Sequence, residues 1–182
     1  ISMWFARARM PWVLFPPEGI EAFFVQADLP VKTSLETTSQ KFKQLEAVIN
    51  ELGKKELRNY VTTVGMQQIE VNDPFTQRGS HLGQIQVFLT AESDRKRRAI
   101  DIINDLRPQM ENRAKSLGFD RVIFQRLRQG PPVGKPVAIR IKGDDMDQIA
   151  GISDEIQEQL KTIPGVSDVS ENYRPGKDEV LV

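Results

Sequence analysis

Gln129–Asp145, QGPPVGKPVAIRIKGDD, divides this chain into two units. Pro131, Pro132 and Pro136 fix φ and remove backbone donors, and Gly130 and Gly134 permit bends between them. The segment therefore begins as a rigid hinge. From Val137 the residues Val137, Ile139 and Ile141 alternate with Ala138, Arg140 and Lys142, which predicts a strand over Pro136–Lys142 with one buried face. Asp144 or Asp145 then offers a carboxylate to the unpaired amides of a helix start.

Upstream of the hinge the hydrophobic period switches between two and three to four in a definite order. Ile20–Leu29, IEAFFVQADL, reads as a strand with Phe23 and Val25 on one face and Phe24 on the other, closed by Pro30. Thr33 and Glu36 form a capping-box pattern before a stripe of Leu35, Phe42, Leu45, Ile49 and Leu52, and Gly53 stops that helix. Glu56–Gly65 and Gln84–Thr90 are rich in strand formers. A second helix is predicted from near Asp94. Its stripe of Ala99, Ile103, Leu106, Met110, Ala114 and Leu117 runs straight through Pro108, which predicts one kinked helix. Arg121–Leu127 supplies a fourth strand. Strand, helix, strand, strand, helix, strand is the split βαβ order, so the fold class is α+β with a ferredoxin-like sandwich.

Downstream, half of that order repeats. After the strand comes a helix with Ile149, Ile152, Ile156 and Leu160 on one stripe, then short strands at Val166–Tyr173 and Lys177–Val182. Such a half sheet buries too little to stand alone, so the chain is expected to be a piece of something larger or to be completed by a partner. The division is 1–19 as an arm, 20–129 as a first subdomain and 130–182 as a partial second one of βαββ order.

Composition excludes several classes. Lys plus Arg is 25 and Asp plus Glu is 25, so no basic excess points to nucleic acid. The densest positive run, Arg95–Arg98, sits at a predicted helix start and reads as a solvated end. Without cysteine there is no disulfide, thiolate site or redox couple. Arg7, Arg9 and Pro11 break up the one apolar stretch that could approach a membrane span. Trp4, Phe5, Trp12 and Phe15 in that arm fit either a membrane-interface belt or an arm packed on a neighbour. Met66–Gly83 shows turn signals at Asn72-Asp73-Pro74 and Arg78-Gly79-Ser80 and no apolar period, which predicts a long irregular loop. His81, the only histidine, lies there without metal-ligand spacing and takes no chemistry. No convergent acid, base and nucleophile occur, so the chain does not read as an enzyme and calls for no cofactor.

VLFPPEGIEAFFVQADLP, the helix TSLETTSQKFKQLEAVI, the hinge and IPGVSDVSENYRPGKDEVLV together resemble the resistance–nodulation–division (RND) efflux transporters, in the hydrophobe/amphiphile branch with the acriflavine-resistance pumps. The resemblance covers essentially the whole chain and places it in the periplasmic porter region of the second half, just after the seventh membrane helix. It implies an inner-membrane, proton-driven homotrimer of a Gram-negative-type bacterium. The trimer would work with a periplasmic adaptor and an outer-membrane channel to export small-molecule cargo. The isolated piece is expected to be monomeric or weakly associated. The resemblance also makes Gly65–Gly83 the loop between substrate pockets and Ile123–Arg128 a pocket-lining strand. The implied substrate-binding residues are Phe124, Arg126, Arg128, Met66, Phe75 and Arg78. Multidrug members are phenylalanine-rich at this strand, whereas here only Phe124 is aromatic and Arg126 and Arg128 intrude. That difference favours anionic or amphiphilic cargo, with the arginines facing solvent or another subunit as the other reading. Metal export is not expected, because the strands at Phe23–Gln26 and Ile123–Arg128 contribute no methionine. The competing reading of the chain is a freestanding ferredoxin-like protein-interaction domain without catalysis.

Overall fold

Four segments meet as one antiparallel sheet in the order β2-β3-β1-β4: Ala22–Asp28 (β1), Leu57–Gln67 (β2), Gln77–Leu89 (β3) and Arg121–Arg126 (β4). The computed structural model describes residues 21–69, 76–127, 137–166, 168, 169 and 171. β1 pairs with β3 from Ala22↔Phe88 to Asp28↔Leu82, and with β4 from Phe23↔Arg126 to Asp28↔Arg121. Helices Leu35–Asn50 (α1) and Ala99–Ser116 (α2) make the two crossovers, so the expected split βαβ order is found.

Period-two alternation divides the sheet into two faces. Phe23, Val25, Ala27, Ile85, Val87 and Phe124 turn to the helix layer, where Phe42, Leu45 and Ile49 of α1 and Ile102, Ile103, Leu106 and Met110 of α2 bury against them. Full burial of such side chains contributes about 1.5–3 kcal/mol each. Phe23 stacks on Phe124 at 6.2 Å between ring centroids, and Phe42 meets Phe119 edge-on at 5.3 Å. α1 comes closest at Gly83, where a Cβ would lie 2.6 Å from Phe42 Cε2. Only glycine fits beneath that ring.

Helix starts differ from the sequence pattern by small amounts. Ser34, not Thr33, caps α1, and its side chain accepts from the Thr37 N–H. α2 begins at Ala99 rather than near Asp94, after a 3₁₀ turn at Glu92–Asp94. The intervening backbone stays extended at Arg95 and Arg98, and Arg97 between them reaches Glu56 and Asp105. α2 does run unbroken through Pro108.

Among the described residues of the long irregular loop expected over Met66–Gly83, those at 66–67 and 77–83 belong to strands. β2 continues to Gln67 and β3 begins at Gln77, with Met66 opposite Arg78 and Gln67 opposite Gln77. The register passes from Val64↔Gly83 directly to Met66↔Arg78, so Gly79–Leu82 have no partner on β2 and the turn preference of Arg78-Gly79-Ser80 survives as a wide bulge. The pairing shifts register between Val64 and Met66, where Gly65 takes φ 90°, a bulge that redirects the end of β2. Residues 70–75, including Phe75, lie outside the described residues.

Past the hinge, Met146–Lys161 (α3) is capped by Asp145, which accepts from the N–H groups of Asp147 and Gln148. No α3 residue is buried, including the stripe at Ile149, Ile152, Ile156 and Leu160. The strand expected over Pro136–Lys142 is not formed across 137–142, where Val137 and Ile139 are 66% and 55% exposed. Alternation supplies a face but not a partner, and no described strand pairs with this segment. The strand expected at Val166–Tyr173 is not seen at 166, 168, 169 or 171 either. Asp168 there has φ 58°, a left-handed conformation outside the range of a regular strand. The arm at 1–19, the hinge prolines and Lys177–Val182 lie outside the described residues.

Candidate functional site

The sequence-derived candidates fall in two separate places. Met66, half-buried, faces exposed Arg78 across the β2–β3 ladder. Phe124 and exposed Arg126 belong to β4, on the other edge of the sheet, and Arg126 sits at its opposite end beside Phe23. Arg128 and Phe75 are outside the described residues. Arg78 and Arg126 form no ion pair with the described residues, whereas Phe124 is only 4% exposed and its ring belongs to the core.

The face of the sheet away from α1 and α2 carries a pattern that the sequence reading did not single out. Across the strands one row reads Gln125, Phe24, Gln86, Val61, and the next reads Ile123, Gln26, Gln84, Thr63. Amides and apolar groups mix there without a charge. The signal was present in QIQV, where Gln84 and Gln86 alternate with core-facing Ile85 and Val87. At the end of the face Asp28 is buried and takes an ion pair from Arg121 at 2.6 Å and a hydrogen bond from Gln67 Nε2 at 2.6 Å. The same Gln67 amide donates to the carbonyls of Gly83 and Ala27. Gln84, 6% exposed, accepts from the Gln68 N–H and donates to the Gln68 carbonyl. The redirected end of β2 is thereby pinned across the face.

A third cluster lies at the open edge of β4. Asp168 receives both terminal nitrogens of Arg107, at 2.8 and 2.9 Å, and its Oδ1 also accepts from the Phe124 N–H at 3.1 Å. The Arg107 guanidinium sits 4.7 Å above the centre of the Phe124 ring. The hydrogen bonds to Asp168 hold the Arg107 pKa above its ordinary value, against the opposing effect of burial. In the basic run before α2, Arg95 is buried rather than solvated, and Arg97 and Arg98 are paired with carboxylates. Arg97 forks onto Glu56 and also reaches Asp105, and Arg98 pairs with Asp101. Hydrogen bonding from Arg97 lowers the Glu56 pKa, and hydrogen bonding from Arg98 lowers that of Asp101. A shallow groove beside Arg97, of about 430 Å³, is lined by Leu52, Asp105, Pro108 and Gln109 among others.

The described part is thus a split βαβ sandwich with one helix-covered face and one amide-rich face, followed by a further helix. The chain belongs to the AcrB/AcrD/AcrF family, whose model matches residues 1–182. Among solved structures it is similar to a heavy metal efflux pump. In crystal form I the identity is 22% over 89% of this chain and 18% of that one, with a TM-score of 0.57. In form II the identity is 20% over 96% of this chain and 18% of that one, again with a TM-score of 0.57. At these identities the likeness concerns the fold, and the chain spans 18% of the length of the structures it matches. No curated protein matches it significantly. Among the described residues no helix is long and apolar enough to cross a membrane.

Proposed function

We propose that this chain is the substrate-pathway part of a proton-driven RND efflux pump, facing the periplasm, in a trimer joined to an adaptor and an outer-membrane channel. Its divisions are the arm at 1–19, the first porter subdomain at 20–129 and part of the second at 130–182. The observation that carries this reading is the family match along the entire chain. Cargo is a small amphiphile, with a preference for anions. Exposed Arg78 and Arg126, which form no ion pair with the described residues, support that preference, and the two uncharged rows of amides and apolar groups on the sheet face suit an amphiphile. Arg128, Phe75 and Met66 belong to the same proposed contact set, with Phe124 holding β4 from within. No catalysis is assigned.

The test is accumulation of a fluorescent amphiphilic anion and of a matched cation in cells. Strains carry the intact transporter, none, or one with Arg78→Phe and Arg126→Phe. The expected result is several-fold higher anion retention in the double variant, with the cation unaffected. If deleting the transporter changes neither compound, the efflux reading is wrong.

Heavy-metal export is the second reading, favoured by the similarity in fold to a heavy metal efflux pump and by the thioether of Met66 at the β2 bulge. Met66→Leu sensitising cells to copper or silver, with no effect on the amphiphiles, would select it.

A further inference from the structure

Asp168 occupies a place built for a carboxylate. One side chain from beyond α3 fills a fork of two guanidinium N–H groups and a main-chain N–H of β4 at the same time. Planar bidentate pairing plus a backbone donor is the geometry with which proteins bind free carboxylates. The donors come from one unit and the acceptor from another: Arg107 and Phe124 lie in the sandwich, 61 and 44 residues from Asp168. Arg107 also lies over the Phe124 ring and pairs with Glu111 at 3.7 Å, two contacts that do not involve Asp168. The pair is reachable from solvent, with the Arg107 and Asp168 side chains 24% and 22% exposed. Asp168 sits on a left-handed backbone, a conformation that costs an aspartate more than an extended one.

We infer that Arg107 and the Phe124 N–H form a carboxylate-binding site in which Asp168 is a built-in occupant, and that a carboxylate-bearing amphiphile competes with it. Displacement would free Asp168 from the edge of β4, so that cargo arrival and release of Asp168 become one event. The inference rests on the anionic-cargo reading and names the chemical group recognised. Because Asp168 is tethered, its effective concentration is on the order of millimolar, so a small acid such as acetate competes poorly. A carboxylate with an apolar tail competes better.

The experiment titrates the 182-residue chain with octanoate, by calorimetry and by the NMR shift of the Phe124 amide. Asp168→Ala is expected to bind octanoate at least about tenfold more tightly than the unaltered chain, with the Phe124 amide among the largest shifts. Adding Arg107→Gln to that variant removes the gain, and octylamine does not bind. Should Asp168→Ala fail to fold by circular dichroism, Asp168→Asn takes its place, retaining the shape without the charge. Equal affinity in variant and unaltered chain overturns the inference, as does a gain that survives Arg107→Gln. Anion accumulation that ignores loss of the transporter would instead sink the efflux reading, whatever octanoate does.

Discussion

The side-chain amide of Gln84 pairs with the main chain of Gln68 as a neighbouring strand would. Its Oε1 accepts from the Gln68 N–H at 2.8 Å and its Nε2 donates to the Gln68 carbonyl at 2.7 Å. Gln84→Glu removes the donor and turns a carboxylate towards that carbonyl in a buried place. A loss of about 1–3 kcal/mol is expected, read as a lower urea midpoint at unchanged slope. An unchanged midpoint would mean that the clip contributes nothing to stability.

Gly83 lies under the Phe42 ring, and an added Cβ would also be 3.1 Å from the Thr63 carbonyl. Gly83→Ala should therefore destabilise by about 1–3 kcal/mol through overpacking. Because the ring is the nearest obstacle, Phe42→Leu combined with Gly83→Ala should cost less than the sum of the single changes. Strict additivity in the double-mutant cycle would rule out the contact as the cause.

Glu56 has its pKa lowered in the folded state by the hydrogen bond from Arg97. A depressed carboxyl contributes stability that is complete above its ordinary 4.5 and is lost as the pH falls through the lowered value. Urea midpoints measured at decreasing pH should drop less steeply below about pH 4.5 in Glu56→Gln than in the unaltered chain. Parallel curves would show that the Arg97 fork does not govern acid stability.

Pro108 interrupts the hydrogen bonding of α2 at an exposed position, so it costs helix energy without filling the core. Pro108→Ala should raise stability by about 1–3 kcal/mol. A loss in thermal midpoint instead would indicate that the groove at Arg97 and Asp105 depends on the proline ring.

Much of the sandwich is legible along the chain because its causes are local. FFV in β1 separates Phe23 and Val25 from Phe24 by period alone, and the stripe from Ala99 to Ala114 identifies the buried side of α2 through its proline. Asp145 caps α3 because its carboxylate reaches amides two and three residues away. The candidate contact residues were less legible. The family resemblance alone makes Phe124 a pocket-lining residue, whereas register with Val25 turns its ring into the core.

Within the sandwich the sequence by itself determined the order of elements and the faces they bury, since helix stripes, strand alternation and caps depend on residues a few positions apart. Only the tertiary structure decided which strands exist and which polar groups meet. VAIRIK alternates as well as any strand here, yet 137–142 has no described partner to complete a ladder, while RGSH, rich in turn formers, lies within β3, tied to β2 at Arg78 and to Leu29 through the His81 carbonyl. Asp28 with Arg121, Gln84 with Gln68 and Asp168 with Arg107 are joined across 93, 16 and 61 residues. A hydrogen bond needs a partner at a particular place and angle, and over such separations only the folded sheet supplies one.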